Sequence, residues 1–345
     1  MKRKDLTMTD SHPSNPAILK VENLSKRFVK HLDFIEKIAQ KLGADVREEV
    51  VNAVDDVTLH IGRGEVLGLV GESGCGKSTL GRMIAGILEP TRGSIFYNDV
   101  DVTTMSASRA KETALKIQMI FQDPFASLNP RLRVREIIGE APRVHGIVKR
   151  SELNDYVGQV MERCGLDPNF MVRYPHQFSG GQRQRIGIAR ALAVKPDLMV
   201  CDESIAALDV SIQAQILNLF MDLKTDMDLT YLFISHDLGV VEHISDRIAI
   251  MYLGRVVEIA ETEALFRGPF HPYSLALFNE IPRLENRNMD FDPIKGEIPS
   301  PLDPPPGCHF HPRCPVNTGI CKREAPALEE LEPGRFVACH NPHRE

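Results

Sequence analysis

The sequence predicts an α/β fold: a doubly wound, mostly parallel sheet with an inserted helical subdomain and a small cysteine-rich C-terminal extension. Three observations carry that expectation. Short apolar runs ("EVLGLVG", "KIQMIFQD", "DLMVCDE", "TYLFISHD", "RIAIMYLG") recur with helical stretches between most of them, the pattern of parallel strands buried on both faces. From Pro130 to Phe178 the pattern turns largely helical. After "ETEALFRG" the chain becomes proline-rich and then places Cys308, Cys314, Cys321 and Cys339, four of its seven cysteines, close to its end.

Composition bounds the possibilities. The 345 residues are 43% hydrophobic and 26% charged, an ordinary globular balance, and are enough for one large domain with an appendage. A formal net charge of -6 argues against a nucleic-acid partner. No apolar run approaches the roughly 18 residues of a membrane helix. Residues 1–16 have a basic start without an apolar core behind it, so they are expected to be a disordered lead-in and not a signal peptide. That implies a cytosolic setting, where disulfides are rare.

In chain order, "AILKVENLSKRF" and "VDDVTLHI" alternate apolar and polar residues as half-buried strands do. Between them, Leu32, Ile35, Ile38 and Leu42 stand at helical spacing and predict an inserted amphipathic helix, packed on its own domain or docked on a partner. "EVLGLVG" is a strand running into a glycine-rich turn, followed by a helix from about Lys77 to Leu88. "LRVREIIGEAPRVHG" and "SELNDYVGQVMERCG" are the main helices of the inserted subdomain, about 130–180. The turn to proline-rich sequence around the end of "ETEALFRG" divides the chain into 1–16, 17–266 and 267–345, and "SPLDPPPG" looks like a further boundary before the cysteine tail.

The chemistry begins at "GESGCGKST", Gly71, Glu72, Ser73, Gly74, Cys75, Gly76, Lys77, Ser78 and Thr79, which satisfies GxxxxGK[ST] between a strand and a helix. Its glycines let backbone amides close around phosphate oxygens, and Lys77 adds a point charge for the β and γ phosphates. Ser78 is the expected Mg²⁺ ligand. "DLMVCDE" supplies the partner: Asp202 at a strand's end can reach the Mg²⁺ shell, and Glu203 is placed to polarise an attacking water. Alone, an acidic pair after a strand is usually a solvated loop; beside a phosphate loop it becomes part of a site.

Neither motif explains "QFSGGQRQRIGIARAL", where Ser179, Gly180 and Gly181 open a helix and offer a second anion site with no strand before it. Here the sequence resembles the ATP-binding cassette (ABC) ATPases, whose signature is LSGGQ where this chain has FSGGQ. The resemblance runs from about Ile18 to Phe266. It implies a P-loop ABC nucleotide-binding domain that binds ATP and Mg²⁺ and pairs head to tail with a second cassette, Ser179 to Gln182 closing on the γ-phosphate held by the other subunit. Carried over residue by residue, Gln122 in "IFQDP" matches the glutamine that touches Mg²⁺ or its water beside the membrane subunits. His236 in "FISHDL" matches the histidine that contacts the γ-phosphate, and Glu203 becomes the catalytic base. Phe28 stands where the family stacks an aromatic on adenine, although a core phenylalanine on an edge strand reads the same way. Where the family usually has DEPTSALD this chain has "DESIAALD": Ser204, Ile205 and Ala206 depart, while Asp209 keeps the end of the dimer-contacting loop. A second cassette of different sequence is one way to tolerate that drift.

The tail resembles the C-terminal extension of the oligopeptide/dipeptide importer ATPases, through "HPY" and the proline-cysteine run, as do "GESGCGKSTLGR" and "MIFQDPFASLNPR". The partners this implies are a second ATPase subunit, a paralogue or an identical chain, two transmembrane permeases and, through them, an extracytoplasmic solute-binding protein, with the chain peripheral on the cytoplasmic face of the inner membrane. Peptides are the default cargo, with nickel and oligosaccharides served by the same subfamily. The competing class is a soluble cassette ATPase acting on nucleic acid or ribosomes, which the acidic balance, single cassette and HPY tail oppose. Cys308, Cys314, Cys321 and Cys339 admit a disulfide pair, a zinc site without its CxxC knuckle, or a [4Fe-4S] cluster, which some relatives with this tail hold. His309, His311 and His340 flank them and offer an alternative ligand. Cys75, Cys164 and Cys201 need no metal.

Overall fold

A computed structural model of the chain describes residues 16–30, 49–123, 126–279 and 296–343. The amphipathic helix expected over Leu32 to Leu42 lies outside the described residues. Twelve strands follow in chain order: β1 (Ala17–Lys30), β2 (Glu49–Gly62), β3 (Val66–Val70), β4 (Arg92–Tyr97), β5 (Val100–Asp101), β6 (Ile117–Ile120), β7 (Leu198–Asp202), β8 (Thr230–Ile234), β9 (Arg247–Tyr252), β10 (Arg255–Glu261), β11 (Glu329–Glu332) and β12 (Arg335–Val337). They form an antiparallel sheet, β2-β1-β4-β5, and a larger one, β11-β12-β10-β9-β3-β8-β7-β6.

The five apolar runs singled out in the sequence supply the parallel centre, β9-β3-β8-β7-β6. Every residue of β3, β7 and β8 is buried, because both faces are covered and no polar side is needed. One face packs on the small sheet and on the helix Lys77–Ile84, joining Ile18, Leu59, Leu67, Leu80 and Ile84 in one apolar cluster. The other face packs on the helices Gly180–Leu192 and Val210–Met227, through Ile186, Ile188, Leu219 and Phe220. Truncating a fully buried residue such as Leu67 or Phe233 would cost about 2–5 kcal/mol.

Several elements differ from the expectation. The helix after the phosphate loop ends at Ile84 rather than Leu88, because Gly86 turns left-handed at φ +69° and breaks the ladder. Between Pro130 and Phe178 lie two α-helices, Val134–Val144 and Leu153–Arg163, and two short 3₁₀ turns. The hairpin β4-β5 and the helix Ala107–Lys116 were not foreseen. Asn98 and Asp99 make that hairpin's turn, both with positive φ, as a tight two-residue connection requires.

The end of the chain joins the core sheet. β12 pairs antiparallel with β10, Glu258 opposite Val337 and Ile259 opposite Phe336, and β11 pairs with β12. The junction holds a buried ion pair: Arg335 Nη2 donates to Glu258 Oε1 at 3.0 Å, and the guanidinium lies 3.4 Å from the centre of the Phe270 ring. No helix among the described residues is long and apolar enough to cross a membrane.

Candidate functional site

The phosphate loop leaves the buried C-terminal end of β3 and is closed by glycines that nothing else can replace. At Gly71 (φ +151°) a Cβ would lie 2.1 Å from the carbonyl oxygen of Met251; at Gly76 (φ +110°) it would lie 2.1 Å from that of Ala53. Gly76 caps the helix Lys77–Ile84, which has neither a side-chain cap nor an acid in its first turn, so the positive end of the helix faces the loop. Lys77 is buried and folds back over the loop, its Nζ donating to the carbonyls of Gly71 at 2.7 Å and Glu72 at 3.1 Å. Burial pushes the Cys75 thiol up, which keeps it an unreactive packing group.

β7 delivers Asp202 to the same place. Ser78 Oγ donates to Asp202 Oδ1 at 2.7 Å, so the two residues expected to hold Mg²⁺ already touch. Burial raises the Asp202 carboxyl above its ordinary range, while the Ser78 bond opposes the shift. A buried carboxylate of this kind gains most when a cation arrives, which fits the residues to a divalent metal. Glu203 follows in the left-handed region at φ +46°, which turns its side chain off the strand. Its Oε2 accepts from Gln122 Nε2 at 2.8 Å and lies 3.5 Å from His236 Nδ1. Gln122, Glu203 and His236, chosen from three separate stretches of sequence, therefore meet on one oxygen.

A cavity of about 270 Å³ opens beside these groups, lined by Lys77, Ser78, Gln122 and Glu203 but not by Asp202 or His236. Ser73, Gly74, Gly76, Lys77, Ser78 and Thr79 line it from the loop, Gln122 and Glu203 from the far end, and Val51, Asn52 and Ala53 from the small sheet. Phe28 is not among the lining residues; it pairs across the ladder with Val51, is 43% exposed, and has Lys26 Nζ 5.3 Å from its ring centre. The signature is not brought to the cavity either. Ser179 and Gln182 instead cap each other at the start of the helix Gly180–Leu192, and a Cβ on Gly181 would meet Ile212 Cγ2 at 2.5 Å. Asp209 caps the helix Val210–Met227 and is exposed.

The tail contributes two things sequence reasoning missed. Pro301 and Pro304 line the same cavity. Glu72, read only as a loop residue, has its backbone N–H donating to Tyr273 Oη at 3.0 Å and its carboxylate held by Arg313 through bonds of 2.8 and 3.0 Å. The HPY motif was a signal for Tyr273; nothing local marked Arg313.

Cys308, Cys314, Cys321 and Cys339 do converge, lining one small cavity with His271 and Phe310. Among the described residues, however, no group of three or more His, Cys, Asp or Glu side chains stands in a metal-holding arrangement, so the metal expected from the cysteine count is not borne out there. No disulfide links any of the seven cysteines either. His309, His311 and His340 each spend a ring nitrogen on a backbone carbonyl, those of Leu253, Cys308 and Glu324, as structural histidines do.

Comparison with known proteins gives this site a family. Residues 54–206 match the model for ABC transporters, and residues 257–321 that for the oligopeptide/dipeptide transporter C-terminal region. The chain is 50% identical over 294 residues to the oligopeptide transport ATP-binding protein AppF of Bacillus subtilis, covering 84% of this chain and 89% of that one. It is 44% identical over 325 residues to the probable peptide ABC transporter ATP-binding protein y4tS of Sinorhizobium fredii, covering 94% and 90%. Among solved structures, cbiO1 from Clostridium perfringens, part of the ABC transporter complex cbiONQ, aligns with a TM-score of 0.60 and 26% identity over 73% of this chain and 91% of that one. A dimeric post-hydrolysis state of the ATP-binding cassette MJ0796, bound to ADP and Pi, gives the same score and identity over 71% and 98%. The chain belongs to the ATP-binding proteins of the ABC transporter family, in the branch that carries the oligopeptide/dipeptide transporter C-terminal region.

Proposed function

We propose that the chain is the ATP-hydrolysing subunit of a binding-protein-dependent importer of di- and oligopeptides. The observation that carries this reading is the meeting of Ser78 with Asp202, and of Gln122 and His236 with Glu203, beside a cavity that Lys77, Ser78, Gln122 and Glu203 line. Peptide cargo is inferred from the relatives' names and the shared C-terminal region; nickel and oligosaccharides are the alternatives.

The roles follow from position. Loop amides and the helix N-terminus hold the phosphates, and Lys77 exchanges the carbonyls of Gly71 and Glu72 for phosphate oxygens. Ser78 and Asp202, with Gln122, would hold Mg²⁺, which when bound would neutralise phosphate charge. Glu203 accepts a proton from water as its oxygen bonds to the γ-phosphorus and the β-γ bridge breaks, leaving ADP and phosphate. His236 orients the γ-phosphate end, and Phe28 stacks on adenine. Ser179 to Gln182 lie away from the chain's own cavity and act on a nucleotide held by a second, paralogous cassette. Residues 17–266 form the ATPase domain, with a helical subdomain at about 130–180 passing the motion to two permeases, and residues 267–345 form the extension. The chain sits peripherally on the cytoplasmic face of the inner membrane.

For the cysteine cavity we keep a [4Fe-4S] cluster, with Zn²⁺ the alternative. Four cysteines line it with His271, whose buried Nε2 has no hydrogen-bond partner. Burial pushes the Cys339 thiol up to about 12 and raises Cys308 and Cys314, so thiolates would form there only with a bound cation. Iron with equimolar sulfide in the purified full chain would support the cluster; stoichiometric zinc would replace it.

The test of function is ATP turnover in membranes. Turnover should rise when the permease pair and a peptide-loaded binding protein are supplied. Stimulation by nucleic acid or ribosomes instead would overturn the reading.

A further inference from the structure

We propose that Tyr273 and Arg313, both in the C-terminal segment, are positioning residues for the nucleotide: they hold Glu72, and through it the phosphate loop, in the conformation that receives ATP. The proposal rests on the assignment of that loop as the nucleotide site.

Glu72 is held on three sides. Its N–H donates to Tyr273 Oη at 3.0 Å, its carbonyl accepts from Lys77 Nζ at 3.1 Å, and its carboxylate accepts two bonds from Arg313, Nη1 to Oε2 at 2.8 Å and Nη2 to Oε1 at 3.0 Å. A two-pronged guanidinium-carboxylate pair fixes orientation as well as distance. It is also sheltered, with the Arg313 side chain only 5% exposed. Arg313 Nη1 makes a further bond to Tyr252 Oη at 3.3 Å. Tyr273 is wholly buried, its ring centre 4.6 Å from that of Tyr252 and 5.3 Å from that of Phe310. The clamp therefore stands on a packed aromatic wall.

The loop needs such a support. Gly71, Gly74 and Gly76 all have positive φ, and a Cβ on Gly74 would meet nothing within 4 Å, so part of the loop is held by no packing of its own. A glycine-rich segment loses more freedom on ordering than any other, and that loss falls on ligand affinity unless the free protein is already ordered. With the Glu72 N–H engaged by Tyr273, the carboxylate faces the tail and not the phosphates. Glu72 thus acts as the loop's anchor, while the residues from Ser73 onward stay open to the cavity they line. The effect should appear in ATP affinity far more than in turnover.

The experiment uses the full chain and the assembled transporter. Tyr273→Phe removes only the hydroxyl and keeps the aromatic wall; Arg313→Met removes the fork but keeps the stem; Arg313→Lys keeps the charge alone. MgATP affinity is measured by calorimetry, kcat and KM by phosphate release, and folding by circular dichroism and the thermal midpoint. Losing a charge-assisted bond predicts a rise in Kd and KM of roughly ten- to a hundredfold for Arg313→Met, and of a few-fold for Tyr273→Phe. Arg313→Lys should fall between wild type and Arg313→Met, with kcat within about twofold throughout. If folded Tyr273→Phe and Arg313→Lys bind MgATP as tightly as wild type, or lose kcat with KM unchanged, the clamp is refuted while the nucleotide site stands. If wild type itself fails to bind MgATP, the site assignment falls and the clamp with it.

Discussion

Replacing Arg335 by alanine isolates the contact that ties the end of the chain to the core sheet. The Glu258 carboxylate on β10 has no solvent exposure. Two of its bonds come from the backbone, from the Phe270 and His271 amides, both at 2.8 Å. The remaining two come from Arg335, Nη2 at 3.0 Å and Nε at 3.3 Å, and the same guanidinium donates to the Gly268 carbonyl and stacks on Phe270. Breaking a buried pair by removing one partner costs about 3–5 kcal/mol. The two surviving amide bonds hold the loss toward the lower end, about 3 kcal/mol, out of a total of roughly 5–15 kcal/mol for a domain.

Urea unfolding of the full chain at pH 7 measures this directly. The double change Glu258→Gln with Arg335→Met should recover more than half of the loss, because it leaves no unpaired charge in the interior. Since the His271 amide is one of the bonds to Glu258 and Tyr273 is two residues on, Arg335→Ala should also weaken MgATP binding. A loss below about 1 kcal/mol, the range of an exposed pair, would show that the carboxylate reaches water and would refute the reasoning.

Three further outcomes follow from the geometry. Glu203→Gln keeps the hydrogen bond to Gln122 but cannot take a proton, so ATP turnover should fall about 10²–10⁴-fold and an ATP-bound dimer should accumulate; near-normal phosphate release would remove Glu203 as the base. Gly76→Ala must put a Cβ 2.1 Å from the Ala53 carbonyl oxygen at a φ that side chains avoid, so calorimetry should find no MgATP binding in a chain that is otherwise folded, judged by circular dichroism. Burial pushes the His271 imidazole down to about 3, so the unfolded chain binds the extra proton first. Stability from this group is complete above the unfolded value near 6.5 and is lost at about 1.4 kcal/mol per unit as pH falls toward 3. His271→Asn can keep an acceptor for the Tyr273 amide without titrating, and should flatten that slope by about 1 kcal/mol per unit between pH 4 and 6.

What could be read from the sequence was what is local. The phosphate loop announces itself because its backbone geometry demands glycine at set positions, and each central strand because burial on both faces demands an unbroken apolar run. Glu203, Gln122 and His236 were legible by resemblance, and the structure brings them to one oxygen. The residues that went unread act across long separations: Tyr273 and Arg313 lie 201 and 241 positions from Glu72. No periodicity encodes such a contact. The β4-β5 hairpin was missed for the opposite reason, since its Asn98-Asp99 turn is local but lacks the glycine that usually marks one. Phe28 could be read as a core side chain or as an adenine platform; at 43% exposure on the β1-β2 ladder it is not a core side chain.

The tail changes most between sequence and structure. A proline-rich segment that cannot bury enough apolar surface calls for a staple, and four cysteines suggest a metal as that staple. The structure supplies others: β12 adds to the core sheet beside β10, Arg335 reaches the buried Glu258, and Arg313 reaches Glu72. Two of these three attachments end on ATPase strands, and the third ends on the phosphate loop. A segment held only for its own stability would not need the two-pronged contact to Glu72. Its cysteine cavity is lined by Phe310, whose ring also packs on Tyr273, and by His271, which packs on Phe310. With the clamp proposed above, the extension belongs to the ATP site rather than standing as an appendage to it.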